Sequence, residues 1–461
     1  MSHSHSHAGS DAEPAPEMRR AERRALGLMV SFLVPVAVFT IAVLAWLWPT
    51  NVDSHIRSDQ ATVMVEGVTL PRGTVSQVNQ TSCEGLTGSV ANDPRPCAQL
   101  HVQLDEGPEI GQTKQVPVTA AVYASGIEPG DQVKLYRMAS PQDGSLNYQF
   151  ADFERSLPLA FFAVVFAALV VLVARWRGFA SLMGLVFACF LLATFLFPAL
   201  IVGHNPILVG LAASSAIMFV VLYAAHGFST RTTTALVGTI FGLITSALLG
   251  WWATNWTHLT GVSSEDDYLL ASVAPDLELR SVVMCGVIIA GLGVLNDVTI
   301  TQASAVYELA GAGRSRRELF VGAMRIGRDH IASTVYTTAF ATAGAILPVL
   351  LLLSIHQRPL IETLTSEMFA AELVRTLVGS IGLVLAVPLT TAIAVAAVTS
   401  GSTRGPADGP LAPRRDELQP GRRQPALAEE RPRPARATSD AARRRDRARG
   451  DDAYRRPDDQ V

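Results

Sequence analysis

Eight stretches of this 461-residue chain are predominantly apolar and about twenty or more residues long: 25–49, 157–176, 181–202, 206–226, 233–253, 281–301, 332–354 and 374–399. A helix rises about 1.5 Å per residue, so each stretch reaches across a hydrocarbon core about 30 Å thick. Inside lipid the backbone has to satisfy its own hydrogen bonds, which leaves helices as the way for such runs to cross. The fold class that follows is a polytopic α-helical membrane protein with about eight transmembrane helices. Hydrophobic residues at 49% and charged residues at 17% agree with that class.

The loops orient these runs. Residues 1–24 form a polar tail, expected to be disordered, that ends in Arg19, Arg20, Arg23 and Arg24. Those arginines hold the tail in the cytoplasm, and no A-x-A-like site follows the first apolar run, which reads as a signal anchor. With eight spans, Arg175, Arg177, Arg231, Arg314, Arg316, Arg317, Arg325 and Arg328 all fall inside, and the acidic 264–278 segment falls outside. Both termini are then cytoplasmic. The Arg- and Pro-rich 401–461 tail carries too few bulky apolar residues to fold, and its RRRDRAR run at 443–449 reads as solvated rather than as a nucleic-acid contact.

Between the first two runs, residues 50–156 are extracytoplasmic and β-rich. Short alternating or β-branched runs at 61–65, 75–78, 99–104, 115–123 and 132–136 are separated by Pro- and Gly-containing breaks, which predicts a small all-β, barrel-like domain of five strands. Either it binds a ligand on one face or it serves as a spacer or docking domain. Cys83 and Cys97 lie in this segment, where they close a short disulfide loop or stand as two thiols; Cys189 and Cys285 fall in apolar runs and read as packing. His3, His5 and His7 read as a solvated end, and no metal site or cofactor is expected.

One run places polar groups along a helix face. At helical spacing Gly286, Ala290, Gly293, Asp297, Thr301, Ser304 and Glu308 fall together, with Asn296 beside them. Small residues admit a neighbouring helix closely, and an acid in a span is costly unless it faces the bundle or a wet cavity. Three further runs repeat the pattern: Ala235, Gly238, Gly242 and Ser246; Thr334, Thr338, Ala341 and Ala345; and Arg375, Gly379, Gly382, Ala386 and Thr390. The expectation is a sheltered polar core of Asn296, Asp297, Thr301, Ser304, Glu308, Thr334, Thr338 and Arg375. Gly238, Gly242, Gly286, Gly293, Gly379 and Gly382 are expected to pack the helices around it. The basic 311–330 loop is expected to lie along the membrane surface, with Asp329 starting the next span.

Signatures of soluble enzymes are missing. No G-x-x-x-x-G-K-[ST], H-E-x-x-H or G-x-S-x-G occurs, and Val294 follows Gly291-Leu292-Gly293 where an intramembrane aspartyl protease would place an aspartate. The chain is not expected to be an enzyme.

Several segments resemble the YibE/F-like family of bacterial multi-pass membrane proteins. They are YQFADFER at 148–155, HGFSTRT at 226–232 with LVGT after it, GLGVLNDV at 291–298, SAVYEL at 304–309, IGRD at 326–329, Thr337 with Thr338, and GSIGLVLAVP at 379–388. The resemblance spans roughly 60–398 and implies an outer β-rich segment before a helical region in a bacterial plasma membrane. It carries no substrate. Asn296 stands where members often have an apolar residue, adding a polar group beside Asp297. Two functions stay open: a permease-like transporter of an unidentified ion or solute working through Asp297, or an envelope scaffold or signalling protein whose β domain binds a partner. Lipid is the partner common to both.

Overall fold

A computed structural model describes residues 16–57, 69–83, 95–139, 146–310, 314–356 and 359–399. The expectations for residues 1–15 and 400–461, including His3, His5, His7 and the RRRDRAR run, lie outside the described residues, as does the 61–65 run, whereas residues 16–24 of the expected N-terminal tail are helical. Helix α1 (Pro16–Trp46) leads to an antiparallel five-stranded sheet: β1 (Arg72–Thr81), β2 (Cys97–Leu104), β3 (Thr113–Val118), β4 (Gln132–Ala139) and β5 (Leu146–Phe153), in the order β3-β2-β1-β4-β5. A short α2 (Ala120–Ala124) precedes β4.

Alternation decides which face of the sheet is buried. Val75, Leu100, Val102, Leu104, Val116, Val133, Leu135 and Tyr148 point inward into one cluster. The end strands β3 and β5 meet through side chains, which nearly closes the barrel. Tyr148 of β5 donates to Glu109 Oε2 at 2.5 Å, and Lys114 of β3 pairs with Glu109 Oε1 at 2.8 Å. Cys83 and Cys97 are joined as a disulfide with Cα atoms 5.1 Å apart. The 115–123 run ends as a strand at Val118 and turns helical, and 146–153 supplies a strand that its scattered polar residues, Asn147, Gln149 and Asp152, concealed.

The helical part opens with α3 (Ser156–Leu191), continued by a π-helical turn (Leu192–Leu196) and α4 (Phe197–Ile201). Then come α5 (Pro206–His226), α6 (Thr230–Trp256), α7 (Glu265–Val273), α8 (Leu279–Ala310), α9 (Arg316–Ala345), α10 (Leu347–His356), α11 (Leu360–Leu364) and α12 (Glu367–Thr399). Six helices among the described residues are long and apolar enough to cross a membrane, and seven if α9 and α10, bent by 66°, count as one span. That places the protein in a membrane. The expected runs 157–176 and 181–202 share one 46-residue helical stretch, about 69 Å long and more than twice the hydrocarbon thickness. It is interrupted at Arg175, whose φ of 55° is not helical. The chain bends there so sharply that a Cβ on Gly178 would overlap the Val170 carbonyl.

Small residues assemble the centre. Helices α6, α8 and α12 pack around Leu236, Leu243, Ile288, Leu295 and Leu383, all fully buried. Gly238 faces Thr390, Gly242 faces Leu295 Cδ2 (2.6 Å from a built Cβ), and Gly382 faces Ser246, so side chains of one helix sit in notches of the next. A hydrogen bond of 2.7 Å joins Thr239 and Thr299 in the same interface.

Helix α9 joins this core only at its start. Its buried residues are Leu319, Ala323 and Gly327; a Cβ on Gly327 would stand 2.7 Å from Val387. Gln302 ties α9 to the centre, donating to Ala323 O at 3.0 Å and Thr391 Oγ1 at 2.7 Å. Asp329 does not begin a helix. Ser315 does, because its hydroxyl accepts from Glu318 N while Glu318 reaches back to Ser315 N, and nothing between 316 and 345 breaks the turn. The described part of the 311–330 segment is therefore the first half of the continuous helix α9 rather than a loop. Beyond Gly327 no α9 residue is buried, and a cleft opens against α8 and α12.

Candidate functional site

The first turns of α12 position the most polar part of that cleft. Glu367 Oε1 accepts from Thr260 N at 2.7 Å and Gly261 N at 2.9 Å, which anchors the start of α12 to the loop before α7. Further along, Glu372 and Arg375 fall three residues apart and therefore on one face. Arg375 Nη1 donates to Glu372 Oε2 at 2.5 Å, with the two side chains 36% and 23% exposed. The guanidinium lies across α8 at Gly286, where a built Cβ would be 3.5 Å from Nε. A larger residue at 286 would crowd it. Arg375 Nε is buried without a hydrogen-bond partner.

Two cavities meet at this pair. The wider, about 260 Å³, is bordered by Gly261, Ser263, Asp267 and Glu367. Burial alone would raise the Asp267 carboxyl, but hydrogen bonds from Ser263 and Ser264 outweigh it and hold Asp267 below the usual range, so it stays an anion at the mouth. The narrower cavity, about 70 Å³, runs between α8, α9 and α12 past Gly291, Thr334, Thr338, Thr376 and Ser380. It exceeds the roughly 15 Å³ that admits one water. Thr338 donates to Thr334 O at 2.9 Å and Ser380 to Thr376 O at 2.7 Å. With their protons committed to their own helices, these oxygens have lone pairs to offer. The arrangement can take a polar guest: a cation at the hydroxyl oxygens and Glu372, or an anion at Arg375.

The expected polar core divides. Thr334, Thr338 and Arg375 come together here. Thr301, Ser304 and Glu308 line a separate groove of about 340 Å³ with Ile326. Asn296 is half-buried with Oδ1 unpartnered, its backbone oxygen accepting from Thr299. Asp297 is exposed; its carboxylate has no hydrogen bond or ion pair among the described residues, and it borders neither cavity.

Asp297 is therefore not sheltered among the small-faced helices. The face of α8 that packs on α6 and α12 is Gly291, Leu295, Val298, Thr299 and Gln302, and the stripe of Ala290, Gly293 and Asp297 lies outside it. Gly293 meets nothing within 4 Å, so it is not a packing glycine, and Gly286 and Gly379 make only ordinary contacts. Glu372, Thr376 and Ser380 were missed. Their signal was a spacing of four along α12, beginning one helical turn before Arg375.

A family model described as YibE/F-like protein matches residues 162–400. No curated protein and no solved structure matches the chain.

Proposed function

The chain belongs to the YibE/F-like protein family, and from that premise we propose that it is a permease-like, non-enzymatic carrier of an ion or small polar solute in a bacterial plasma membrane. It crosses that membrane eight times, with α3 divided at Arg175 into two spans, α9 and α10 forming one bent span, and both termini in the cytoplasm. The wide cavity then opens outside the cell, beside the acidic α7, and the β domain lies on the same side.

One observation carries the reading: the outer cavity and the hydroxyl-lined cleft share a half-buried Arg375–Glu372 pair whose guanidinium still has an unsatisfied donor. An ion pair held in low dielectric is costly to break unless a ligand replaces a partner, so the pair acts as a ligand-operated gate. Asp297 takes no part in binding.

The test introduces Ser380→Cys, and separately Ser263→Cys, with Cys189 and Cys285 replaced by serine. A membrane-impermeant maleimide applied from outside is expected to label both, and Arg375→Gln is expected to change the rate at Ser380→Cys several-fold without changing Ser263→Cys. A Ser380→Cys thiol that stays unlabelled from either side while Ser263→Cys reacts would remove the conduit.

A further inference from the structure

The start of α9 carries a second polar feature, remote in sequence from the Arg375 gate. Arg314, Arg317 and Arg325 line one open groove of about 540 Å³ with Glu318, Val321 and Gly322. All three guanidinium groups are exposed, and none lies within ion-pair distance of a carboxylate among the described residues. Glu318 is committed elsewhere, since its Oε2 accepts from Ser315 N at 2.8 Å and Ser315 Oγ at 2.9 Å. Arg316 points to another neighbour, the Thr399 carbonyl.

The walls of the groove narrow the choice of ligand. Three guanidinium groups without an ion-pair partner outnumber the one carboxylate of the groove, Glu318, whose charge acts on Arg314, and they suit phosphate oxygens, which they can engage two at a time. Val321 is apolar and 50% exposed within the same groove. Arg325 precedes the apolar 332–354 run by seven residues, about 10 Å along the helix. A free inorganic ion has no use for an apolar wall, whereas a phospholipid places its acyl chain along it. We propose that the groove binds the phosphate of an anionic phospholipid headgroup at the membrane surface.

The experiment is native mass spectrometry of the full chain in detergent, titrated with phosphatidylglycerol or phosphatidylcholine, with and without millimolar inorganic phosphate. One phosphatidylglycerol is expected to be retained in preference to phosphatidylcholine, and inorganic phosphate is expected not to displace it. Each surface arginine near anionic lipid is worth about fivefold, so R314Q/R317Q/R325Q should weaken that retention on the order of a hundredfold. Equal retention by the triple variant overturns the proposal. Displacement by inorganic phosphate also overturns it and reassigns the groove to a free anion. Should the triple variant lose its native elution profile, Arg325→Gln alone carries the test, with an expected loss of about fivefold; no loss in a well-folded Arg325→Gln protein overturns the proposal equally.

Discussion

At the scale of single residues, the small stripes on the apolar runs pointed to close packing, and only some of their members serve it. Space decides which. A Cβ added at Gly238 would overlap Thr390 Oγ1 and meet Thr390 Cβ at 3.1 Å and Cγ2 at 3.2 Å, so no rotation of that β-branched side chain relieves it. At Gly382 the added Cβ would overlap Ser246 Oγ alone, with the next atom at 3.5 Å, and turning one hydroxyl makes room. At Gly293 nothing lies within 4 Å. Thermal unfolding in detergent should rank the three alanine variants accordingly. Gly238→Ala loses about 1–3 kcal/mol, as overpacked cores do, and Thr390→Ala recovers part of it. Gly382→Ala loses less. Gly293→Ala gains up to about 1 kcal/mol from helix propensity. The stripe was legible because a period of 3.6 places residues on a face. Which of two adjacent faces meets a neighbour depends on the partner helix, and α9 withdraws from the face that carries Gly293 and Asp297.

At the scale of elements, the chain announces ends more clearly than it announces partners. The Ser315–Glu318 box is legible as S-x-x-E, yet the arginines around it suit a loop as well as a helix, and Asp329 offers N-cap chemistry closer to the apolar run. Strand β5 was hidden for a related reason: of its eight residues only Tyr148 is buried, so alternation scarcely registers. Glu154 joins that strand to α3. Hydrogen bonds from the Ser156 hydroxyl and the Ser156 N–H, with Lys134 alongside, push its carboxyl from 4.5 down to about 2. A carboxyl depressed in the folded state stabilises fully above its unfolded value and loses that contribution as pH falls through the folded one. Hydrogen exchange across 146–160, corrected for intrinsic rate, should therefore show a protection step between pH 4.5 and about 2. Glu154→Gln should shrink the step to the part that Asp152 supplies, whose carboxyl Arg155 and the Phe153 N–H also hold below its usual range. A step of unchanged size in that variant would mean that another carboxyl holds the junction.

At the scale of the whole molecule, parity constrains how many times the chain crosses between α1 and α7. The segment just after α1 touches the one around α7: Arg57 N donates to Val273 O at 2.8 Å, and His55 Nδ1 lies 2.8 Å from Asp276 Oδ2. Two segments in hydrogen-bond contact share one side of a bilayer, so an even number of crossings separates them. Between them lie α5, α6 and the stretch Ser156–Ile201. Counted as one span, that stretch gives three crossings and puts the contacting segments on opposite sides. Divided at Arg175, as proposed, it gives four, which agrees with the contact and would put the arginines at 175, 177 and 231 on the inner face. In the sequence the division is an expectation carried by two apolar runs of span length, which need a break between them; the first half, exposed on nearly every side, supplies little contact that would place it. In a variant whose Cys189 and Cys285 are serine, cysteines at Asp266 and His55 should react with an impermeant maleimide on intact cells. A cysteine at Arg231 should react only after permeabilisation. Labelling of Arg231→Cys from outside together with His55→Cys would make Ser156–Ile201 a single crossing, and every later loop would change sides with it.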